Sequence, residues 1–269
     1  MKNESTPINS EQIRQSLSFG ASAVVQEIVV KAVTDSTNAD AANASSDCGV
    51  FIADMQTAGR GRRGRQWISP AGANIYLSIR LCTPASAASF AGLSLAVGVA
   101  IAEALVGLGA EHLALKWPND IVLRSGEKLG GILIEVAGEM AGPATVIVGV
   151  GLNYEMPESY AAQIGQPYAN LKAHMLREHN RNRIAAELIN SIVSVLAHYE
   201  EQQFAPYVEG WQRFDVLAGK PVVVHLPQGS ESGIARGVSA MGELMVENRG
   251  VCKHFAGGEV TVRSEPDAC

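Results

Sequence analysis

Seven consecutive residues, Gly59-Arg60-Gly61-Arg62-Arg63-Gly64-Arg65, set four arginines and three glycines side by side. Ordering such a segment is costly, because glycine loses more backbone freedom than any other residue and neighbouring guanidinium groups repel one another. The segment belongs in a loop, and the loop needs an anion. Glycine lets backbone N–H groups approach a phosphate or carboxylate, and arginine offers a planar fork of donors that stays charged at any working pH. A small anionic ligand and a nucleic-acid backbone both meet that demand, and these residues alone do not choose between them.

The remaining composition narrows the choice. The 269 residues carry a formal net charge of −6, so the positive charge of the loop is focal within an acidic chain. Binding along a phosphate backbone needs many cations over a wide face, whereas a focal site suits a small anion. A hydrophobic content of 47% gives a sizeable globular core, with chain enough for one large unit and a small one. Cys48, Cys82, Cys252 and Cys269 show no Cys-x-x-Cys spacing, which points to neither a zinc site nor a disulfide framework and suits a reducing compartment. The N-terminal stretch MKNESTPINSEQIR lacks the apolar region of an export signal. The apolar run from Phe90 to Leu108 is rich in Ala and Gly and contains Glu103, as a buried helix would be. A cytoplasmic protein with no membrane span is expected.

Along the chain, the first 26 residues form a short extension with room for one small helix. A β-branched run from Glu27 to Val33 predicts a strand, ending at Asp35-Ser36-Thr37-Asn38. That cluster can cap a helix over Ala39 to Ala44, or its hydroxyls and amides can bind a polar head group. Val50 to Ala53 is a second strand and leads through Met55-Gln56-Thr57-Ala58 into the arginine loop. From Asn74 to Leu81 the alternation of Ile75, Leu77, Ile79 and Leu81 with Tyr76, Ser78 and Arg80 predicts a third strand with one apolar face. The loop therefore joins two neighbouring strands, with no structure of its own and disordered when empty. Trp67 is read as a partly buried anchor, with closure over an apolar ligand as the competing reading.

A helix is expected over Ser86 to Leu108, then a short strand Leu113–Leu115 and the turn Lys116-Trp117-Pro118-Asn119-Asp120, where proline breaks the ladder. The segment is either an ordinary Pro-Asn-Asp turn or a corner that gathers a lysine for phosphate and an aspartate for magnesium, and the residues alone leave both open. After a hairpin turn at Ser125-Gly126-Glu127, Lys128-Leu129-Gly130-Gly131 opens another strand, and paired glycines there signal close approach of a ligand or backbone. Ala144 to Val150 leads to Gly149-Val150-Gly151-Leu152-Asn153, which lacks the third glycine of a dinucleotide fingerprint. Glu158 to Ile164 and Asn182 to Gln203 are expected helices, the second with a core stripe of Ile184, Leu188, Ile192, Val195 and Leu196. Short strands at Pro221–Leu226, Ile234–Ala240, Leu244–Glu247 and Glu259–Arg263 predict a small barrel. Arg236 on it is read as a surface residue.

Taken in order, Asp35-Ser36-Thr37-Asn38, Gln56 to Arg65, Lys116 to Asp120, Lys128 to Ile132 and Gly149 to Asn153 resemble the motifs of the biotin–protein ligase family. The resemblance implies an α+β fold, in which a mixed-sheet, class II synthetase-like catalytic domain with flanking helices (27–214) precedes a small C-terminal SH3-like β-barrel (215–269). It implies joining of biotin to ATP, giving biotinyl-5′-adenylate and pyrophosphate, then transfer of biotin to a lysine of a biotin carboxyl carrier protein. Residue by residue, Ser36, Thr37, Asn38, Gln56, Arg60, Gly61, Arg62 and Lys128 match biotin-binding positions. Arg62, Lys116, Asn119, Asp120, Asn153 and Tyr168 match the ATP side, with Asp120 also the magnesium contact. Arg62, Lys128 and Asp120 are the expected catalytic groups.

Three departures accompany the resemblance. The chain has no room for the N-terminal winged helix of the family's repressors, so no DNA binding is expected. Tyr168 stands nearest to the family's adenine-stacking tryptophan, and Gly130 replaces an alanine beside Lys128. A homodimer formed at a sheet edge is a further expectation. A lipoate–protein ligase of the same fold and a nucleic-acid-binding module are the rival readings.

Overall fold

The structure is a computed structural model describing residues 6–138, 142–226, 229–256 and 261–264. Its helices are α1 (Ser10–Gln15), α2 (Phe19–Val24), α3 (Thr37–Ala42), α4 (Leu93–Gly107), α5 (Ala161–Ile164), α6 (Arg181–Gln202) and α7 (Val208–Phe214). The strands are β1 (Glu27–Thr34), β2 (Cys48–Gln56), β3 (Ile75–Thr83), β4 (Leu113–Lys116), β5 (Asp120–Leu123), β6 (Lys128–Gly138), β7 (Ala144–Leu152), β8 (Pro221–Leu226), β9 (Gly229–Val238), β10 (Leu244–Asn248), β11 (Val251–Phe255) and β12 (Thr261–Ser264). No helix among the described residues is long and apolar enough to cross a membrane.

The first seven strands form one mixed sheet in the order β1-β2-β3-β7-β6-β5-β4, parallel only between β1 and β2. Residues paired across neighbouring strands share a face, which lets the two sides of the sheet be read from register. One face carries Ile52, Leu77, Val150 and Ile132 in line, all buried, and joins the core with α4 and α6. The stripe Ile184, Leu188, Ile192, Val195 and Leu196 of α6 is buried in that core. The N-terminal segment holds two short helices rather than one. It is tied to α6 by Asn182, which accepts from Asn9 N and donates to Pro7 O, and by Arg181, which donates to Thr6 O.

The second face departs from the single-faced alternation expected of β3. Tyr76 and Ser78 are as buried as Ile75 and Leu77: α3 packs on β2, β3 and β7 around Ala41, Phe51 and Ile147 and bonds Ser78, while the Tyr76 hydroxyl donates to Pro70 O of the loop before β3. This face also presents Gly149 and Gly151 of β7 and Gly131 of β6. Three missing side chains leave a trough beside α3, and the site occupies it.

The helix expected over Ser86 to Leu108 is divided. Gly92 takes a left-handed φ of 76° between a short 3-10 turn, Ala87–Phe90, and α4. The remaining strands form a five-stranded antiparallel sheet, β11-β10-β9-β8-β12, of the size of the expected SH3-like barrel. It includes β11, which the sequence reading passed over: four of its five residues are exposed, so it shows no apolar alternation. Residues 259–260 of the last expected strand, and Cys269, lie outside the described residues. Arg236 pairs on the surface with Glu247 at 2.9 Å.

Candidate active site

One cavity of about 800 Å³ opens on the glycine face, walled by α3, the end of β2, the arginine loop, the β4–β5 turn, and β6 and β7. Its two ends differ in chemistry. At the first, Ser36 precedes α3 in extended backbone without making a side-chain cap bond, so the capping expected of this cluster does not consume its hydroxyl. Thr37 N donates to Gln56 Oε1 at 2.9 Å, and Gln56 Nε2 donates to Ser69 Oγ at 3.0 Å. Ser78 Oγ stands 2.7 Å from Thr37 Oγ1 and 2.6 Å from Asn38 Oδ1. Ser36, Thr37 and Asn38 are each 4% exposed. This end is neutral, polar and fixed, suited to a neutral ring with donors and acceptors.

The second end is charged. Lys116 and Asp120 face each other across the β4–β5 turn, and Lys128 Nζ donates to Asp120 Oδ1 at 2.6 Å. Asn119 accepts from Arg62 Nη1 at 3.3 Å and donates to Ile132 O at 2.8 Å. The Arg62 guanidinium is held below its ordinary pKa, chiefly by burial and also by Arg63, while Asp120 draws it the other way. A buried cation pressed against other cations gains most from an incoming anion.

Lys128 reaches this end through a β-bulge. Strict alternation from Gly131 would aim Leu129 at the cavity and Lys128 at the core. The register shifts between Ile121 and Val122, and the outcome is reversed: Leu129 is fully buried and Lys128 lines the cavity. The backbone there is held from outside the sheet. Lys128 N donates to Pro167 O, Ala169 N donates to Lys128 O, and Asn153 Nδ2 donates to Lys128 O at 3.2 Å. Asn153 and Tyr168 are therefore not among the side chains lining the cavity. They support the Lys128 backbone, Asn153 by that bond and Tyr168 by a parallel bridge.

Glycines of β6 and β7 make room for neighbouring side chains and backbone. A Cβ at Gly151 would lie 2.5 Å from Trp67 Cε2, one at Gly149 would collide with Asn38 Oδ1, and one at Gly130 would come 2.8 Å from Gly151 O. Trp67 lies over this trough with Lys128 Nζ 5.5 Å from its ring, and its buried Nε1 has no hydrogen-bond partner among the described residues. It lines the cavity, so the ligand-facing reading of Trp67 fits better than that of an anchor alone. The arginine loop has structure of its own. Arg60 bridges Gln66, and Arg62–Gly64 form a 3-10 turn with Arg63 at φ 57°. Arg60, Gly61 and Arg62 all line the cavity, with Arg60 Nη2 3.2 Å from Glu135 Oε2.

Sequence reasoning missed Glu135, Ser78 and Ser69. Ser78 and Glu135 are visible as polar interruptions of apolar strands, but their partners lie on α3 and the arginine loop, distant in the chain.

The model of the Biotin/lipoate A/B protein ligase family matches residues 30–153. The chain is 36% identical over 260 residues to the bifunctional ligase/repressor BirA of Escherichia coli, covering 96% of this chain and 78% of that protein. It is 33% identical to the biotin–[acetyl-CoA-carboxylase] ligase of Mycobacterium tuberculosis, covering 94% of this chain and 95% of that one. Among solved structures, the biotin protein ligase from Aquifex aeolicus in complex with biotin and ATP superimposes with a TM-score of 0.76 at 26% identity, over 89% of this chain and all of that one. The chain belongs to the biotin/lipoate A/B protein ligase family.

Proposed function

We propose that this chain activates biotin with ATP and passes it to a lysine of the biotin carboxyl carrier of acetyl-CoA carboxylase. The observation that carries the reading is a single cavity with a neutral hydrogen-bonding end at Ser36, Thr37, Asn38 and Gln56 and a cationic end at Arg62, Lys116 and Lys128. A biotin ring would occupy the first and its carboxylate would point to the second. ATP would lie along the second, over Lys116, Asn119 and Asp120.

In the first step a biotin carboxylate oxygen attacks the α-phosphorus, the α–β phosphoanhydride bond breaks, and pyrophosphate leaves. Two anions must touch, so the barrier is largely repulsion. Arg62 and Lys128 lower it by meeting charge that concentrates in the transition state. Asp120 is the one carboxylate lining the cavity, and no cluster of three or more His, Cys, Asp or Glu among the described residues could hold a metal ion. That suits a magnesium ion carried on the nucleotide phosphates, with Asp120 at one coordination position. When bound, the ion would neutralise phosphate charge.

In the second step the acceptor amine attacks the acyl carbon and AMP leaves. Asp120, in the cavity wall, would take the amine proton. We assign 27–214 to the catalytic unit and 215–269 to the C-terminal barrel, packed together where Trp117 Nε1 donates to Gly242 O at 3.1 Å. We also assign the activity to the cytoplasm, which the free cysteines and the need for ATP support. Pairing of two copies along the edge strand β1, where Val33 is 55% exposed, is the dimer we favour. ATP–pyrophosphate exchange tests the substrate: biotin should drive it, and exchange with lipoate alone would contradict the reading.

A further inference from the structure

Glu135 lies on β6 opposite Ile147 of β7, on the glycine face. A polar residue in a half-exposed strand usually faces water and does nothing else. Here one oxygen, Oε2, receives two donors from two other parts of the chain. Asn38 Nδ2 donates to it at 2.7 Å from α3, and Arg60 Nη2 at 3.2 Å from the arginine loop.

We propose that Glu135 is a positioning residue for the active site, fixing the Asn38 amide and closing the arginine loop through the same carboxylate oxygen. The first effect follows from donor and acceptor chemistry. The two ends of an asparagine amide are nearly equal in shape and opposite in hydrogen-bonding sense, so a flip exchanges donor for acceptor. The Ser78 hydroxyl on Oδ1 and an acceptor-only carboxylate on Nδ2 leave a single orientation. Asn38 is thereby committed to presenting its remaining N–H toward the cavity.

The second effect follows from placement. Asn38 is 4% exposed and belongs to the rigid floor, whereas the Arg60 side chain is 46% exposed and belongs to the flap above it. Glu135 joins floor to flap, so the state of the ring-binding end and the closure of the loop are linked. A half-exposed ion pair is weak. A weak latch suits a loop that must open on every turnover.

The proposal rests on the reading of this cavity as the biotin and adenylate site, but its first test does not. Trypsin cleaves after arginine, so cutting of the ligand-free full chain within residues 60–65 measures loop opening. Glu135→Gln, which keeps an acceptor for Asn38 and loses the ion pair, should be cut about three- to fivefold faster than the parent chain, the range of an exposed pair. Glu135→Ala should match it in cleavage and also raise the KM for biotin further, with a smaller change in kcat. Combining Glu135→Ala with Arg60→Ala should add nothing to cutting after Arg62, Arg63 and Arg65, the sites that every variant keeps. Parental cleavage rates in both Glu135 variants, or a lowered melting temperature with the KM for biotin unmoved, would overturn the proposal. If the parent chain made no biotinyl-adenylate, the substrate reading would fail while the cleavage result still decided the latch.

Discussion

Lys128 Nζ lies 2.6 Å from Asp120 Oδ1 in the cavity wall, with side chains 18% and 25% exposed. The pair keeps the lysine aimed at the phosphate end and keeps an unpaired charge from standing there before ligands arrive. Lys128→Met should slow biotin-dependent adenylate formation on the order of a hundredfold, the scale of losing one charge-stabilising donor. Asp120→Asn should slow it less and should also slow transfer from preformed adenylate. Stopped single-turnover assays separate the two steps; normal transfer by the Asp120 variant would remove the proton-acceptor role.

Arg62 reaches across the cavity mouth to Asn119 at 3.3 Å. Arg62→Met should raise the KM for ATP and shorten the lifetime of bound intermediate about tenfold or more. Asn119→Ala should do part of the same. A double-mutant cycle on intermediate release should show less than additive effects, because each change breaks a contact the two residues share.

Gly151 makes room for Trp67. Gly151→Ala should displace the indole and weaken biotin binding by about tenfold or more, with the melting temperature little changed. Trp67 and Trp117 line the cavity, whereas Trp211 does not and is 1% exposed, so ligand-dependent changes in tryptophan emission should come from the first two, and the part owed to Trp67 is the part sensitive to Gly151. Gly151→Ala should reduce that change, and an unaltered titration would contradict the seating of Trp67.

Burial, with a lesser contribution from Cys82, raises the Cys48 thiol from an ordinary 9.0 to about 11. The folded chain keeps this proton over a range in which the unfolded chain loses it. The contribution is therefore fully present below about pH 9 and is lost as pH rises through about 11. The buried Tyr76 and Tyr199 hydroxyls, also raised by burial, act in the same direction at still higher pH. Cys48→Ala should flatten the fall in unfolding free energy between pH 9 and 11, by on the order of 2 kcal/mol. Alkylation at pH 8 should label exposed Cys252 well before Cys48.

Much of this architecture is legible in the sequence because it is local. Alternation marks β3, proline marks the Trp117–Asp120 turn, and the arginine loop announces an anion site. What escaped depends on residues distant in sequence. Lys128 faces the cavity through a bulge in its pairing with β5, Ser78 is bonded beneath a helix from another segment, and Glu135 acts through partners nearly eighty residues or more away in the chain. Gly149 and Gly151, which form no dinucleotide fingerprint, make room for Asn38 and Trp67, partners that their local sequence does not show. Asn153 and Tyr168, matched by resemblance to nucleotide contacts, hold the Lys128 backbone, a role that the sequence does not show.

The central claim is that one cationic cavity brings the carboxylate of biotin against the α-phosphate of ATP. Mass spectrometry of the purified chain, denatured after incubation with biotin and magnesium ATP, tests it most directly. Biotinyl-adenylate should be released at close to one equivalent per chain, and should fall sharply when Arg62 and Lys128 are both neutralised. Full yield from that double variant, or no adenylate of biotin from the parent chain, would contradict the claim.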